Sequence, residues 1–500
     1  MEAQEPAPIR IGIPAARLKS ASPRGVVRAA RAVAERFAAA SRFSFYALSE
    51  PLYNNHDVIF EAWELGPWLN EHPMIAERPG AAAHDSRVSL GSRGRAAAFA
   101  KTAITALGMK QPARLALRAG RFLRGRIASA VKRIAAAIAP SALAPNNAPA
   151  GSETAAYGLP STYLSLDDLD LLLSFECYDA IWDWPTELFQ CRMVGVFHDA
   201  IPFRINEGAP KSAERYFVAT GKMVQRAHWI VCDSHSTLQD LHAFFPSSIP
   251  KSCVIHLGHD RERFLPAARP APSRPHFEPA NAKQTKKTIV MIGEMEPRKN
   301  QAGVLRACRL LAAESPAERI SLTLIGELPS GYPRQLLKQQ IPSNFNIDCC
   351  GYVSDEELGL LLQNSDVFVF ASLREGFGIP VLEAMSAGVP VVCSQNSSLT
   401  EVGGPWAFYC DPYDPTSIAD AIKLAWNLTP SQRECWVAKA RAWAERFTWE
   451  RCAREFEQIC IHAASRPARR EAWRELPECE SSLWNHPSLK GENRRLRQAS

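Results

Sequence analysis

The 500-residue chain predicts an α/β protein made of two doubly wound, Rossmann-like halves facing a cleft. Three observations carry that prediction. Short apolar runs alternate with helix-like segments, the pattern of parallel strands covered on both faces. A stretch rich in Pro, Ala and polar residues, LPAARPAPSRPHFEPANAKQTKK at 265–287, divides that pattern in two. The length also exceeds one ordinary core, since domains run to roughly 100–200 residues.

In the first half, IRIGIPA at 9–15 reads as a strand, residues 22–39 as a helix opened by Gly25, and FSFYALS at 43–49 as a second strand. DLDLLLSFECYDAIWDWP reads as a helix followed by a strand, with Asp168 and Asp170 at the helix start rather than in a metal-binding pair. RMVGVFHDAIPF at 192–203 is an apolar strand entering a polar turn. AHWIVCDSHSTLQDLHAFF at 227–245 gives a strand, a Ser-rich turn and a helix, with Ser234 and Ser236 as cap candidates. SCVIHLGHDRERF at 252–264 begins with another strand. In the second half, strands are expected at 288–295, 321–328, 366–372 and 389–394, and helices at 300–314, 355–365 and 380–388. The expected division is 1–275, with a basic insertion at about 80–150; then 285–446, a closing helix at 447–464, and a tail at 465–500 too polar to fold.

Composition narrows the function classes. A hydrophobic content of 46% with 22% charged residues is that of a globular protein. The net charge of +6 is too mild to imply nucleic acid. The 13 cysteines are scattered, without paired CxxC motifs, so reduced thiols in a cytoplasmic protein are expected. The N-terminus lacks the apolar core of a signal peptide, and no run of about 18 apolar residues suggests a membrane span.

The chemistry concentrates in REGFGIPVLEAMSAGVPVVCS at 374–394. An apolar strand leads directly into Gly376 and Gly378, which let a ligand approach the backbone closely. Pro380 suits the first turn of the next helix, whose N-terminus favours an anion such as a diphosphate. Glu375 precedes the glycines, and Glu383 falls about one turn into that helix, where a carboxylate can accept two ribose hydroxyls. In PRKN at 297–300, Arg298 and Lys299 lie between strand and helix, within reach of a cleft phosphate. In FHDAIPF at 197–203, His198 ends a strand at the same edge, with Asp199 next to it to orient the ring. Gly25 after the first strand is a weaker candidate for the phosphate or acceptor side. The G-x-G-x-x-G turn of a nicotinamide dinucleotide site is not found.

The segment at 374–394 closely resembles the E-x7-E signature of the family 4 glycosyltransferases (glycosyl transferases group 1), which have the GT-B fold. The likeness extends to GEMEPRKN at 293–300, SLTEVGGPWAFYCDPYDPTSIADAI at 398–422, DSHST at 233–237, HLGHDRERF at 256–264 and FTWERCAREF at 447–456. Within the family the chain resembles the E-P-R-K-N, mannosyltransferase-like subgroup. Many relatives carry arginine after the glycine matching Gly293; here Glu294 stands there, so Arg298 is expected to supply the positive charge. The resemblance implies retaining transfer of a hexose from a nucleotide diphosphate sugar, GDP-mannose by analogy, to a saccharide or lipid-linked acceptor in bacterial surface polysaccharide or glycolipid synthesis. It implies Glu375 and His198 as catalytic residues, and Arg298, Lys299, Gly376, Phe377, Gly378 and Glu383 as the donor site. No cofactor and no metal are expected. A GT-B isomerase that converts the nucleotide sugar without an acceptor is the alternative, and a non-catalytic binding module is disfavoured by the intact glutamates.

Between Arg87 and Arg133 there are twelve basic residues and no acidic one. Leu115, Phe122, Ile127, Ile134 and Ile138 fall roughly on one helical face. The segment reads either as a solvated insertion or as an amphipathic helix lying on anionic lipid at the inner face of the plasma membrane, where a lipid-linked acceptor would sit. Aromatics for base stacking are absent, so nucleic acid is not expected. Sedimentation with anionic vesicles separates the two readings. The lipid reading expects the full chain to pellet and a chain lacking 87–138 to stay in the supernatant; equal pelleting removes it.

Overall fold

Runs of buried β-branched, Leu and Phe residues make the strands of this protein, and the helices between them supply the covering faces. The structure is a computed structural model that describes residues 9–14, 25–37, 43–48, 52–54, 57–71, 162–165, 168–183, 191–205, 210–265, 286–327 and 341–465. All of these belong to one unit, which excludes 77–158. The basic segment 87–138, most of the linker and the 466–500 tail lie outside the described residues.

The first sheet is built from β1 (Ile9–Pro14), helix α1 (Gly25–Phe37), β2 (Phe43–Leu48), β3 (Leu52–Asn54), β4 (Asp57–Glu64), α2 (Leu65–Glu71), β5 (Thr162–Ser165), β6 (Leu171–Ser174), β7 (Arg192–Phe197), α3 (Ile201–Arg204), α4 (Pro210–Arg226), β8 (Trp229–Cys232), α5 (His235–Phe244), β9 (Ser252–Val254) and α6 (Arg261–Phe264). Its order is β3-β4-β2-β1-β6-β7-β8-β9, with β5 also on β4. From β2 to β9 the pairs are parallel. Strand β4 runs antiparallel to β2, β3 and β5, which closes that edge with hairpin-like pairing.

The second sheet uses β10 (Lys286–Ile292), α7 (Gln301–Glu314), β11 (Arg319–Ile325), β12 (Phe345–Gly351), α8 (Asp355–Gln363), β13 (Val367–Phe370), α9 (Ile379–Ala387), β14 (Val391–Ser394), α10 (Leu399–Gly403), β15 (Phe408–Cys410) and α11 (Pro415–Trp426). Helices α12 (Pro430–Ala444) and α13 (Trp449–Ala464) follow. The order β12-β11-β10-β13-β14-β15 is parallel throughout, with its reversal between β10 and β13. Ligands of such sheets bind beyond the strand carboxyl ends at that reversal, where the PRKN turn and the loop after β13 both emerge.

Two sequence expectations are corrected. DLDLLLSF was expected to be helical, with a strand after it; the order is inverted. Leu171–Ser174 is a strand, buried at all four positions, and Ala180–Asp183 is a short 3-10 helix. A continuous apolar run covered on both faces has no period to tell strand from helix. Asp170 pins β6 to β1 instead, its carboxylate accepting from the Arg10 amide at 2.8 Å. Ser234 caps α5, accepting from Thr237 N at 3.0 Å, whereas Ser236 lies inside the helix.

The closing helix returns to the first half. Thr448 caps α13, Glu450 pairs with Arg36 at 2.7 Å, and Phe456 meets Phe175 with ring centroids 5.9 Å apart. Gly258 permits this crossing. A Cβ there would lie 2.2 Å from Trp449 N and 2.5 Å from Thr448 C, both backbone atoms that cannot swing aside. Gly258→Ala is therefore expected to cost about 2 kcal/mol or more, read as a lowered denaturant midpoint; an unchanged midpoint contradicts the crossing.

Candidate active site

Strand β13 is fully buried and delivers the chain directly into the loop at 371–378. Two neighbouring turns hold that loop. The Leu373 amide donates to Arg298 O at 2.8 Å, which joins it to the 3-10 turn Pro297–Lys299. From 396–398, Asn396 donates to Leu373 O at 2.9 Å, Glu375 N donates to Ser397 Oγ at 3.1 Å, and Ser398 Oγ donates to Phe377 O at 2.7 Å. Sequence reasoning missed this Asn-Ser-Ser clamp. Its signal was local: side chains that bond backbone groups, just after a strand end.

Glu375 is the centre of a partly buried ion cluster. Its Oε1 lies 2.7 Å from Lys299 Nζ and its Oε2 2.9 Å from Arg298 Nη1. Arg298 also donates to Arg374 O at 3.0 Å and pairs with Glu296. Lys299 rests on the Phe370 ring, 4.8 Å from its centroid. Burial alone would push the Glu375 carboxyl up, but Arg298 and Lys299 overcome it and hold the group at about 2. Burial lowers Lys299, with Glu375 opposing. The two cations therefore meet on Glu375, one on each carboxylate oxygen.

His198 is buried, with Nδ1 2.6 Å from Asp233 Oδ2 and Nε2 2.7 Å from Phe175 O. A carbonyl and a carboxylate both only accept, so the ring donates from both nitrogens and is an imidazolium. Burial opposes that charge, yet Asp233 outweighs it and raises the group to about 9. Asp233, not Asp199, orients the ring. Asp199 instead accepts from Ile201 N at 2.8 Å, and burial raises its carboxyl.

The two halves touch at this point. A Cβ on Gly376 would lie 2.4 Å from His198 O and 2.9 Å from Asp199 Cβ, so the glycine admits the opposite backbone. Thr237 Oγ1 lies 3.1 Å from Gly376 O and 3.3 Å from His198 O, sharing one proton between them. Gly378 caps α9 with φ +113°, a conformation that favours glycine. The Phe377 side chain is buried against Phe447 and His256, a packing position rather than a cleft wall.

Glu383 is also buried, and its Oε1 lies 2.7 Å from Arg28 Nη1, a guanidinium from the first half. Burial raises its carboxyl, with Arg28 opposing. Arg28 also holds Asp260 Oδ2, through Nη2 at 2.7 Å and Nε at 3.1 Å. The sequence singled out Gly25, which opens α1; the residue that reaches the second half is Arg28, one turn later. Among the described residues, His235, His256 and Glu401 form one group with metal-ligand chemistry, their ligand atoms within 4.8 Å of one another. Glu401 there accepts from His235 N at 3.0 Å, Ser236 N at 3.1 Å and His256 Nε2 at 3.1 Å, so it caps α5 from the opposite half.

Two Rossmann-like domains, with a carboxylate held by cations at the reversal of the second sheet, place the chain in the GT-B fold class. Residues 273–443 match the family described as Glycosyl transferases group 1. The chain is 33% identical over 265 residues to the O-antigen chain mannosyltransferase B of Escherichia coli, covering 52% of this chain and 68% of that one. It is 27% identical over 256 residues to the serotype-specific mannosyltransferase WbdA of the same organism, of whose length it spans only 31%. Sucrose-phosphate synthase from Thermosynechococcus elongatus has the same fold, with a TM-score of 0.54 at 15% identity over 91% of this chain and 98% of that one. So does Anabaena HepE, solved with UDP and glucose: TM-score 0.53 at 15% identity, over 91% of this chain and all of that one (100%). The chain belongs to the glycosyl transferases group 1, the family 4 glycosyltransferases, and is a hexosyltransferase of the mannosyltransferase-like kind. Among the described residues no helix is long and apolar enough to cross a membrane.

The raised His198 makes a pH-dependent contribution to stability. Its folded pKa of about 9 lies above the ordinary 6.5, so the contribution is complete below about pH 6.5 and is lost as pH rises through 9. Asp233→Asn is expected to cost about 3 kcal/mol or more at pH 6. Denaturant melts of both proteins should show that gap narrowing at pH 10; a gap independent of pH contradicts the imidazolium.

Proposed function

We propose that the chain transfers a hexosyl residue, mannose in our reading, from a nucleotide diphosphate sugar such as GDP-mannose to a saccharide or lipid-linked acceptor. Transfer retains the anomeric configuration and serves assembly of a bacterial surface polysaccharide. The observation that carries this reading is the Glu375 cluster, an ionised carboxylate at the strand end with Arg298 and Lys299 on its two oxygens. The mannose and polysaccharide assignments draw support from the O-antigen mannosyltransferases that the chain resembles.

In this mechanism the bond between the sugar's anomeric carbon and the diphosphate breaks, and the nucleoside diphosphate leaves with the electron pair. Negative charge grows on its phosphate oxygens. The N-terminus of α9 and the Arg298–Lys299 pair meet that charge, preorganised at little cost in reorganisation, so the reading calls for no metal. Glu375 accepts hydroxyls of the transferred sugar, and Glu383 accepts those of the ribose. The acceptor hydroxyl attacks the anomeric carbon on the face the leaving group departs from. Its proton passes to the departing phosphate oxygen beside it, so no side chain need act as a covalent nucleophile. His198 is a positioning residue here: its ring is occupied at both nitrogens, and it fixes the 198–199 backbone against Gly376. Closure of the halves excludes water and suppresses hydrolysis of the donor.

Glu375→Gln is expected to lower transfer by about 10³-fold while the nucleoside diphosphate still binds. Glu383→Ala is expected to weaken that binding instead. A radiolabelled-sugar assay with calorimetry reads both, and unchanged transfer in the Glu375 variant ends the reading. Thermal stabilisation by a panel of nucleotide sugars identifies the donor. Conversion of that donor with no acceptor present would point to an isomerase.

A further inference from the structure

Arg28 belongs to the first half, yet its guanidinium divides itself between Asp260 of that half and Glu383 of the other. We propose that Arg28 is a positioning residue for the nucleoside end of the donor, holding the Glu383 carboxylate as an oriented acceptor for the two ribose hydroxyls. The proposal rests on the reading that Glu383 takes the ribose.

The geometry supports a fixed bracket rather than a loose ion pair. Nε and Nη2 of Arg28 both address Asp260 Oδ2, at 3.1 and 2.7 Å, which sets the plane of the fork. That leaves Nη1 for Glu383 Oε1 at 2.7 Å. Asp260 is itself held: it follows Gly258, clamped under the Thr448–Trp449 backbone, and precedes α6, whose Phe264 is fully buried. The Glu383 side chain is 4% exposed and Arg28's 16%, so the pair is desolvated on the carboxylate side and open only narrowly on the other.

Charge then decides what the bracket accepts. Two carboxylates around one guanidinium leave one net negative charge, which repels a diphosphate and suits hydroxyl donors. Arg28 engages Oε1 and leaves Oε2 for a diol. Without Arg28, a carboxylate this buried would lose the cation it is paired with and would tend to protonate, losing its acceptor strength. Burial already raises Glu383, with Arg28 as the largest opposing influence.

The experiment uses the full chain and calorimetry. It takes whichever of GDP, UDP and ADP binds tightest, together with its 2′,3′-dideoxy form. The wild type is expected to favour the ribonucleotide at least about tenfold, the scale of a hydrogen bond to a charged group. Arg28→Gln should bring that ratio close to one while leaving the dideoxy form bound as in the wild type. Arg28→Lys, which keeps the charge but loses the fork, should fall between, and it supplies the measurement if the Gln variant does not fold. A wild-type ratio in the Arg28 variants overturns the proposal. Equal weakening of both nucleotides also overturns it, because Arg28 would then be only a strut between the halves. Glu383→Gln separates the two levels of the argument. If it keeps the ratio, the ribose reading itself fails. If it abolishes the ratio while the Arg28 variants keep it, only the role of Arg28 fails.

Discussion

Glu375 is a carboxylate largely shielded from water and kept ionised by two cations, and the arrangement of the second half around the strand ends follows from that need. A buried charge is tolerated only when its partners are held in place. Lys299 is held by the Phe370 ring and by its packing against Gly293, where the absence of a Cβ keeps that space clear. Arg298 is tied to the loop through Arg374 O. Asn300, itself at φ +61°, caps α7 and donates to Ala371 O and Pro412 O, so the turn carrying both cations is bolted to the strand carrying the acid. Strand ends, turns and the 396–398 clamp thus serve one electrostatic centre.

The second constraint is the contact between halves. Gly376 and Gly258 each admit backbone from elsewhere in the chain, one beside His198 and Asp199 and one at the closing helix. Around them run polar cross-links: Arg28 to Glu383, Glu401 to the N-terminus of α5, and Asp240 to Arg374. Each pairs a group of one half with a group of the other. A transferase that must exclude water while admitting a large donor needs contacts of this kind, specific when the halves meet and replaceable by solvent when they part.

Much of the fold was legible in the sequence. The helices near 300–314, 355–365 and 380–388 and the strands near 366–372 and 389–394 appear within a few residues of expectation, because alternating apolar runs and caps are local signals. Leu171–Ser174 was misread for want of any period, and β12, α4, α11 and α12 went unread. At the site, the signature segment was visible as a motif, and Glu375, Arg298 and Lys299 were each visible as candidates. Their mutual pairing was not, nor was Asp233 as the partner of His198, since those contacts join positions far apart in the chain.

The sequence by itself determined the α/β class, the two halves and the family, because periodicity, turn chemistry and the spacing of a strand–loop–helix motif are written within short windows. Only the tertiary structure decided what each charged group is doing. It placed Arg298 and Lys299 together on the two oxygens of Glu375. It made His198 a doubly bonded imidazolium and brought Arg28 to Glu383 from 355 positions away. A carboxylate's behaviour depends on its distance from countercharges and from water, and both are set by packing between segments that no local pattern connects.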